Sequence, residues 1–161
     1  VSAIFFVIAN SFAVTTGSLV SNAIGARARN ELFPICHKVL KLGYAVGIPF
    51  VVVALLCNRW IVSFYTDNEL LIELAFAPFV VMLLNYTFAL PGYVYLNAVG
   101  GTGKTKITFL FQVTTTCVYL VYLYWLSFCI EASLSLYLTA EYLFVILLAL
   151  QSIIHLKSKH Y

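Results

Sequence analysis

Long runs of uncharged, mostly apolar residues make up most of this chain. Asp, Glu, Lys and Arg are absent from residues 1–26, 42–58, 74–103, 107–130 and 142–156. The first, third and fourth of these tracts exceed the ~20 residues that cross a bilayer core as a helix. The other two reach that length if Lys38 and Lys41 extend to the headgroups and if Glu141 lies within the membrane. The pattern therefore predicts five spanning helices, at about 3–24, 36–57, 71–98, 107–130 and 134–156.

The composition supports the same class. Hydrophobic residues make up 63% of the 161, and charged residues only 9%, whereas a soluble domain is about 25% charged. We therefore predict an all-α integral membrane protein with a single membrane domain over residues 1–161. The chain starts at Val1 inside an apolar tract without a basic n-region, so we expect a piece of a longer polypeptide rather than a signal peptide.

The basic residues predict an orientation. If the loops alternate between the two sides of the membrane, eight of the nine fall on one side: Arg27, Arg29, Lys38, Lys41, Lys104, Lys106, Lys157 and Lys159. Only Arg59 falls on the other side, next to Asp67, Glu69 and Glu73. The positive-inside rule then places the basic loops and the C-terminus in the cytoplasm. We predict a multi-pass protein of the cytoplasmic (inner or plasma) membrane.

The segment "GGTGKT" at residues 100–105 raises the question of a nucleotide site. A phosphate-binding P-loop needs a glycine five residues before its Gly-Lys pair and a β-strand leading into it. Position 98 is Ala98, and the preceding residues carry a proline and no strand-like alternation. We therefore predict a tight turn on the cytoplasmic side and no ATP as a partner.

Local signals suggest where the helices end. Gly25 is a predicted C-cap, Asn30 a predicted N-cap, and Pro34 belongs to the first turn of the next helix. Further on, Thr66 or Asp67 is predicted to cap the helix that follows.

Three connecting segments resemble loop signatures of the multidrug and toxic compound extrusion (MATE) family. "SLVSNAIGARARNEL" is similar to the end of the second helix in each half of these proteins, and "NAVGGTGKTK" to the turn after the fourth helix. "IVSFYTDNELLIELA" resembles the linker between them. The residues that carry the loop motifs are Gly25, Arg27, Gly101, Gly103 and Thr105.

This resemblance implies a fold and an activity. Members have two six-helix lobes around a central cavity and exchange cationic or amphipathic drugs for Na⁺ or H⁺. The five helices here would be the last five of the second lobe, so the N-terminal lobe of the same polypeptide and membrane lipid are expected partners. The alternative is a flippase of lipid-linked oligosaccharides or polysaccharides from the same wider superfamily. Because such flippases tend to need cationic residues in the cavity, and none lies deep in a span, the drug exporter is favoured.

Polar residues inside the spans are candidates for the substrate or ion pathway. Asn10, Ser11 and Thr15 lie on or beside one polar face of the first helix, and Asn85 lies between two prolines of the third. Close helix packing would also account for the first group, and simple kinks for the prolines.

The fourth and fifth helices add further candidates. Gln112, Thr115 and Tyr119 form a face that suits an organic cation by hydrogen bonding and cation–π contact, although a tight helix contact would use the same residues. Glu141 is the only acid well inside a span and is a candidate proton or cation site, or else a hydrated group in a shallow outer cavity. The resemblance implies a coupling acid near Phe88, where this chain has none.

An enzyme is not expected. Membrane enzymes need clustered His, Asp or Glu at membrane depth, whereas His37, His155 and His160 lie near predicted helix ends. We predict no metal site, no cofactor beyond a coupling Na⁺ or H⁺, and no nucleic-acid partner.

Overall fold

The chain folds into a bundle of long helices. The computed structural model describes residues 2–129 and 134–158, so Lys159 and His160 lie outside the described residues. The helices are α1 (Ser2–Gly25), a 3₁₀ turn (Arg29–Glu31), α2 (Leu32–Leu56), α3 (Asn58–Ser63), α4 (Glu69–Gly101), α5 (Thr105–Cys129) and α6 (Leu134–Ser158). Five of them are long and apolar enough to cross a membrane. The prediction of an all-α protein with five spanning helices is confirmed.

Helix α4 forms the centre of the bundle. It contacts all five other helices, while α1 also packs on α2, and α5 packs on α6. Its apolar residues are distributed all round the helix, as is typical of a membrane span, but no residue of α4 before Phe79 is buried. Leu83, Leu90, Val94 and Val99 are fully buried further along the helix.

Two tyrosines join α2 to α4 by a reciprocal pair of hydrogen bonds. The Tyr86 hydroxyl donates to the carbonyl oxygen of Gly43, and the Tyr44 hydroxyl donates to that of Thr87, each at 2.7 Å. Pro91 has no N–H to offer the Thr87 carbonyl one turn earlier, so Tyr44 supplies the missing donor. As a result, α4 continues without a break through Pro91.

The connection between α1 and α2 differs from the prediction. Arg27, not Gly25, adopts the left-handed conformation, with φ 60°. The Ala28 N–H donates to the Ala23 carbonyl and the Arg27 N–H to the Ile24 carbonyl, which is the hydrogen-bond pattern of a Schellman motif.

Helix α2 begins at Leu32, before the predicted span of 36–57 but one residue after the start that a cap at Asn30 implies. Its N-cap residue is Glu31, and no side chain caps it. Pro34 is compatible with this early start, because the first turn of a helix has no use for its N–H groups. At the start of α4 the cap is Asn68, whose Oδ1 accepts from the Leu70 N–H at 3.0 Å, rather than a residue before it.

Residues 102–104 connect α4 to α5 in a short turn. Gly101, at the end of α4, and Gly103, within the turn, are required for different reasons. Gly103 has φ +84°, a conformation that L-residues avoid. A Cβ on Gly101 would lie 2.5 Å from the Gly17 carbonyl oxygen on α1. The Ser21 hydroxyl donates to the Gly101 carbonyl at 2.9 Å. Close packing of α1 on α4 therefore accounts for Gly101, and the backbone conformation of the turn accounts for Gly103. Thr105 begins α5.

Candidate functional site

A cavity of about 520 Å³ opens between α1, α4, α5 and α6. It lies beside the middle of the central helix, since Asn85 is the midpoint of α4 (Glu69–Gly101). Its walls consist of Ala3, Phe5, Phe6, Ala9, Met82, Asn85, Tyr86, Ala89, Tyr93, Thr116, Tyr119, Glu141, Phe144 and Val145.

The polar centre of the cavity is a hydrogen bond between two helices. Asn85 Nδ2 on α4 donates to Glu141 Oε2 on α6 at 2.8 Å. The Oδ1 atom of Asn85 is buried and has no hydrogen-bond partner among the described residues. A carboxylate in hydrocarbon is costly unless it is paired or hydrated. The amide supplies one partner, and the cavity gives the carboxylate an open side.

Close packing of α6 on α4 fixes the position of this pair. A Cβ on Gly92 would lie 2.7 Å from the Val145 carbonyl oxygen, so the two backbones come nearly into contact there. One residue after Glu141, the Tyr142 hydroxyl donates to the Val81 carbonyl of α4. On α4 these two contacts lie on either side of Asn85, at Val81 and Gly92, and they bring the Glu141 carboxylate beside it.

Aromatic rings surround the polar pair. Phe6 and Tyr93 meet edge to face with ring centroids 5.8 Å apart, and so do Tyr119 and Phe144. Phe5 meets Tyr86 in the same manner at 5.9 Å. The faces of tyrosine and phenylalanine rings attract cations. The cavity therefore combines one carboxylate, one amide and several ring surfaces.

The structure brings together three of the predicted site residues. Asn85, Tyr119 and Glu141, which come from three different helices, all line the cavity. Thr115 is fully buried, and its hydroxyl has no partner among the described residues. Gln112 is exposed. Neither of these two is part of the cavity wall.

The polar residues of α1 also lie elsewhere. Asn10, Ser11 and Thr15 are exposed, because the buried side of α1 is formed by other residues: Phe5, Ala9, Ala13, Thr16, Val20 and Ala23. The hydroxyls of Ser11 and Thr15 donate to the carbonyl four residues earlier, each at 2.8 Å. Such bonds satisfy a hydroxyl within its own helix, so its presence on a span requires no polar surroundings.

Sequence reasoning missed several lining residues that helical spacing could have found. Tyr93 is two turns after Asn85, Phe144 is three residues after Glu141, and Thr116 is three residues before Tyr119. Residues three or four apart lie on one side of a helix, so each selected residue predicts its neighbours. Phe6 carries no such signal, because it became a wall residue only through the packing of α1 on α4.

The comparisons with known proteins gave one match. A protein-family model described as MatE matches residues 1–126 of the 161. This range includes all three loop segments whose resemblance is described above. Neither a curated protein nor a solved structure matched the chain.

Proposed function

This chain belongs to the MatE family, and from that premise we propose that it takes part in exporting organic cations in exchange for Na⁺ or H⁺. Its family and its five apolar helices make it a multi-pass membrane protein of a transporter superfamily. The resemblance to MATE proteins inferred from its loops is thereby confirmed. The substrate class, the exchange and the orientation in the cytoplasmic membrane belong to the proposal.

The observation that carries this proposal is the Asn85–Glu141 hydrogen bond in a cavity beside the middle of α4. An ionisable residue within a membrane span is energetically costly, and such residues usually have a function in transport or ion binding. No Lys or Arg occurs among the cavity-lining residues that the structure describes. This charge balance favours a cation as the occupant over the pyrophosphate of a lipid-linked sugar.

Size and surface also fit an organic cation. A volume of about 520 Å³ lies within the range of pockets that hold drug-sized ligands. Tyr93, Tyr119 and Phe144 offer ring faces for cation–π contacts, while Glu141 offers the charge. The same carboxylate can hold an organic cation, Na⁺ or H⁺, but only one of them at a time. Such competition at one site supplies the coupling that an antiporter needs.

Dye efflux tests the proposal. Cells that lack their own exporters would produce the full-length protein with Glu141→Gln, and energy-dependent ethidium efflux would be measured. We expect at least a tenfold loss of efflux, because a charge-assisted interaction of about 1.5–3 kcal/mol is removed while the substituted amide still accepts the bond from Asn85.

Gln112→Ala is the matched control, because Gln112 is exposed outside the cavity, and it should leave efflux unchanged. Equal activity of Glu141→Gln and the native protein would contradict the role of the acid. A native protein that exports no cationic dye, but whose deletion removes cell-wall polysaccharide, would favour the flippase.

A further inference from the structure

The side-chain carbonyl oxygen of Asn85 lacks a hydrogen-bond donor. This Oδ1 atom is buried and has no partner among the described residues, while Nδ2 of the same amide donates to Glu141 Oε2 at 2.8 Å. An acceptor that is buried without a donor destabilises a structure. With Glu141 ionised, the pair therefore uses the donor of the amide and leaves its acceptor unsatisfied.

The missing donor has to come from a residue that already lies next to this oxygen. Because the described residues cover Oδ1, neither lipid nor a further part of the protein can reach it. The hydroxyls of Tyr86 and Tyr142 already donate to the carbonyls of Gly43 and Val81. The carboxyl group of Glu141, which contacts the same amide, only accepts hydrogen bonds when it is ionised but carries an O–H donor when it is protonated. A proton on Glu141 thus supplies the donor.

An amide and a protonated carboxyl group can form two hydrogen bonds at once. The amide nitrogen donates to one carboxyl oxygen, and the O–H group on the other oxygen donates to the amide oxygen. The first of these bonds is already present between Asn85 and Glu141. Glu141 is exposed to the cavity, which leaves its carboxyl group room to turn and form the second.

The same surroundings are unfavourable for sodium. In transporters Na⁺ is often coordinated by backbone carbonyl oxygens where a spanning helix is unwound, whereas α4 and α6 run as continuous helices past Asn85 and Glu141. The carbonyl of Thr87, which Pro91 leaves without its helical N–H partner, accepts from Tyr44 instead. A proton needs no space beside the buried Oδ1 atom, but an ion would.

We infer that a proton, not a sodium ion, is what Glu141 exchanges for the organic cation, and that Asn85 Oδ1 accepts a hydrogen bond from the protonated carboxyl group. This inference rests on the function proposed above and names its coupling ion. When the cation arrives, the O–H bond of Glu141 breaks, the proton passes to water in the cavity, and the carboxylate pairs with the cation. One positive charge leaves the site as one enters, and Asn85 Nδ2 keeps its bond throughout.

The groups around Glu141 allow its proton to be followed separately. Among the described residues, the other titratable groups that line the cavity or adjoin Glu141 in the chain are tyrosines: Tyr86 and Tyr93 on α4, Tyr119 on α5 and Tyr142 on α6. Residues 3–9 of α1, which contribute the remaining wall, contain no titratable side chain. Tyrosine in water loses its proton only near pH 10, so a pH effect between about pH 5 and 8 reports on Glu141.

Binding of ethidium to the full-length protein in detergent tests the inference, because this dye keeps its positive charge over the whole range. Fluorescence titrations would be run between about pH 5 and 8, in potassium or sodium chloride at equal concentration. The native dissociation constant should rise as the pH falls, approaching about tenfold per pH unit for one competing proton, and should be equal in the two salts. Glu141→Gln should bind more weakly and without pH dependence, whereas Glu141→Asp should remain pH-dependent.

Infrared difference spectra, recorded on adding ethidium at the lowest pH, test the role of Asn85 as a positioning residue. The carbonyl band of a protonated carboxyl group should disappear from the native protein and should be absent from Glu141→Gln throughout. Asn85→Leu removes both hydrogen bonds at similar side-chain size, so the band should lie at higher frequency. Asn10→Leu is the matched control, because Asn10 is exposed outside the cavity, and it should leave the band in place.

The outcomes separate this inference from the proposed function. Ethidium binding that sodium weakens specifically and pH does not affect would overturn the inference, while cation exchange would stand. Binding that depends on neither, or an unchanged band frequency in Asn85→Leu, would overturn it as well. If the native protein neither binds nor exports any cationic dye, the proposed function fails and the inference falls with it.

Discussion

The amide of Asn85 holds the carboxylate of Glu141 beside the middle of the central helix. An amide donates through its nitrogen and accepts through its oxygen, so Asn85 can pair with the carboxyl group whether that group is ionised or protonated. A protonated carboxyl group would donate to the Oδ1 atom of Asn85, which is buried without a partner in the described structure. In the exchange proposed above, a proton or another cation would thus bind to and leave Glu141 without separating α4 from α6.

A double-mutant cycle measures the strength of this pair. Asn85→Ala, Glu141→Ala and the double variant would be compared by their free energies of unfolding in detergent. We expect a coupling energy of about 1–2 kcal/mol, since hydrogen bonds between membrane helices reach this size at the upper end. The control cycle uses Thr114 and Gln151, whose hydrogen bond between α5 and α6 is long, at 3.4 Å, and competes with the 3.0 Å bonds of Thr114 to carbonyls of its own helix, so the coupling should be clearly smaller there. Strictly additive effects at Asn85 and Glu141 would show that the bond contributes nothing.

Pairs of helices meet where small residues allow their backbones to approach. Gly92 accommodates the Val145 backbone of α6, and Gly43 and Gly47 accommodate Leu90 and Tyr86 of α4. Lipid gives no hydrophobic drive for helix association, so close packing and hydrogen bonds are the main attractions. The glycines therefore set the distances between helices, and these distances set the shape of the cavity.

Gly92→Ala tests this at the α4–α6 contact. The added Cβ would press on backbone atoms of Val145, so α6 must move outward, and we expect a loss of about 1–3 kcal/mol of stability together with weaker dye binding. Thermal unfolding in detergent and a fluorescence titration would measure the two effects. Gly100→Ala is the matched control on the same helix, because its Cβ would meet only Thr108 Oγ1 at 3.6 Å. A Gly92→Ala variant as stable as this control would rule out the tight contact.

Positive charge is concentrated at one end of the whole bundle. Contacts between Ser21 and Gly101, and between Phe111 and His155, bring the C-terminal parts of α1, α4 and α6 to the same end as the start of α5. Seven basic residues of the described chain belong to this end: Arg27, Arg29, Lys38, Lys41, Lys104, Lys106 and Lys157. An asymmetry of this kind orients membrane proteins with their basic loops in the cytoplasm.

Labelling of introduced cysteines tests this orientation. In full-length protein whose native cysteines, including the four of this chain, are replaced by alanine, Lys104→Cys and Arg59→Cys would be treated with a membrane-impermeant maleimide on intact cells. Only the cysteine at position 59 should react before the cells are opened. Lys106→Cys and Asp67→Cys serve as matched partners for the two sides. Reaction of positions 59 and 104 from the same side would contradict the five-span arrangement.

The sequence by itself determined the class of the protein, the number of spanning helices and the family. These properties can be read from local segments of the chain. A span needs about 20 uncharged residues in a row to cross the core, and the family was indicated by short motifs in the loops. It also indicated Asn85, Tyr119 and Glu141 as candidate site residues, because a polar residue within an apolar span can be recognised without knowing how its helix packs.

Only the tertiary structure decided which of the polar residues share a site. Ser11 and Thr15 look as polar as Asn85 in the sequence, yet their hydroxyls are satisfied within α1, while Asn85 meets an acid 56 positions away. The rotation of each helix about its axis depends on contacts such as Gly92 with Val145, which join residues far apart in the chain. Helical periodicity gives the faces of a single helix but not which face its neighbours cover, and for that reason the cavity emerged only from the packed bundle.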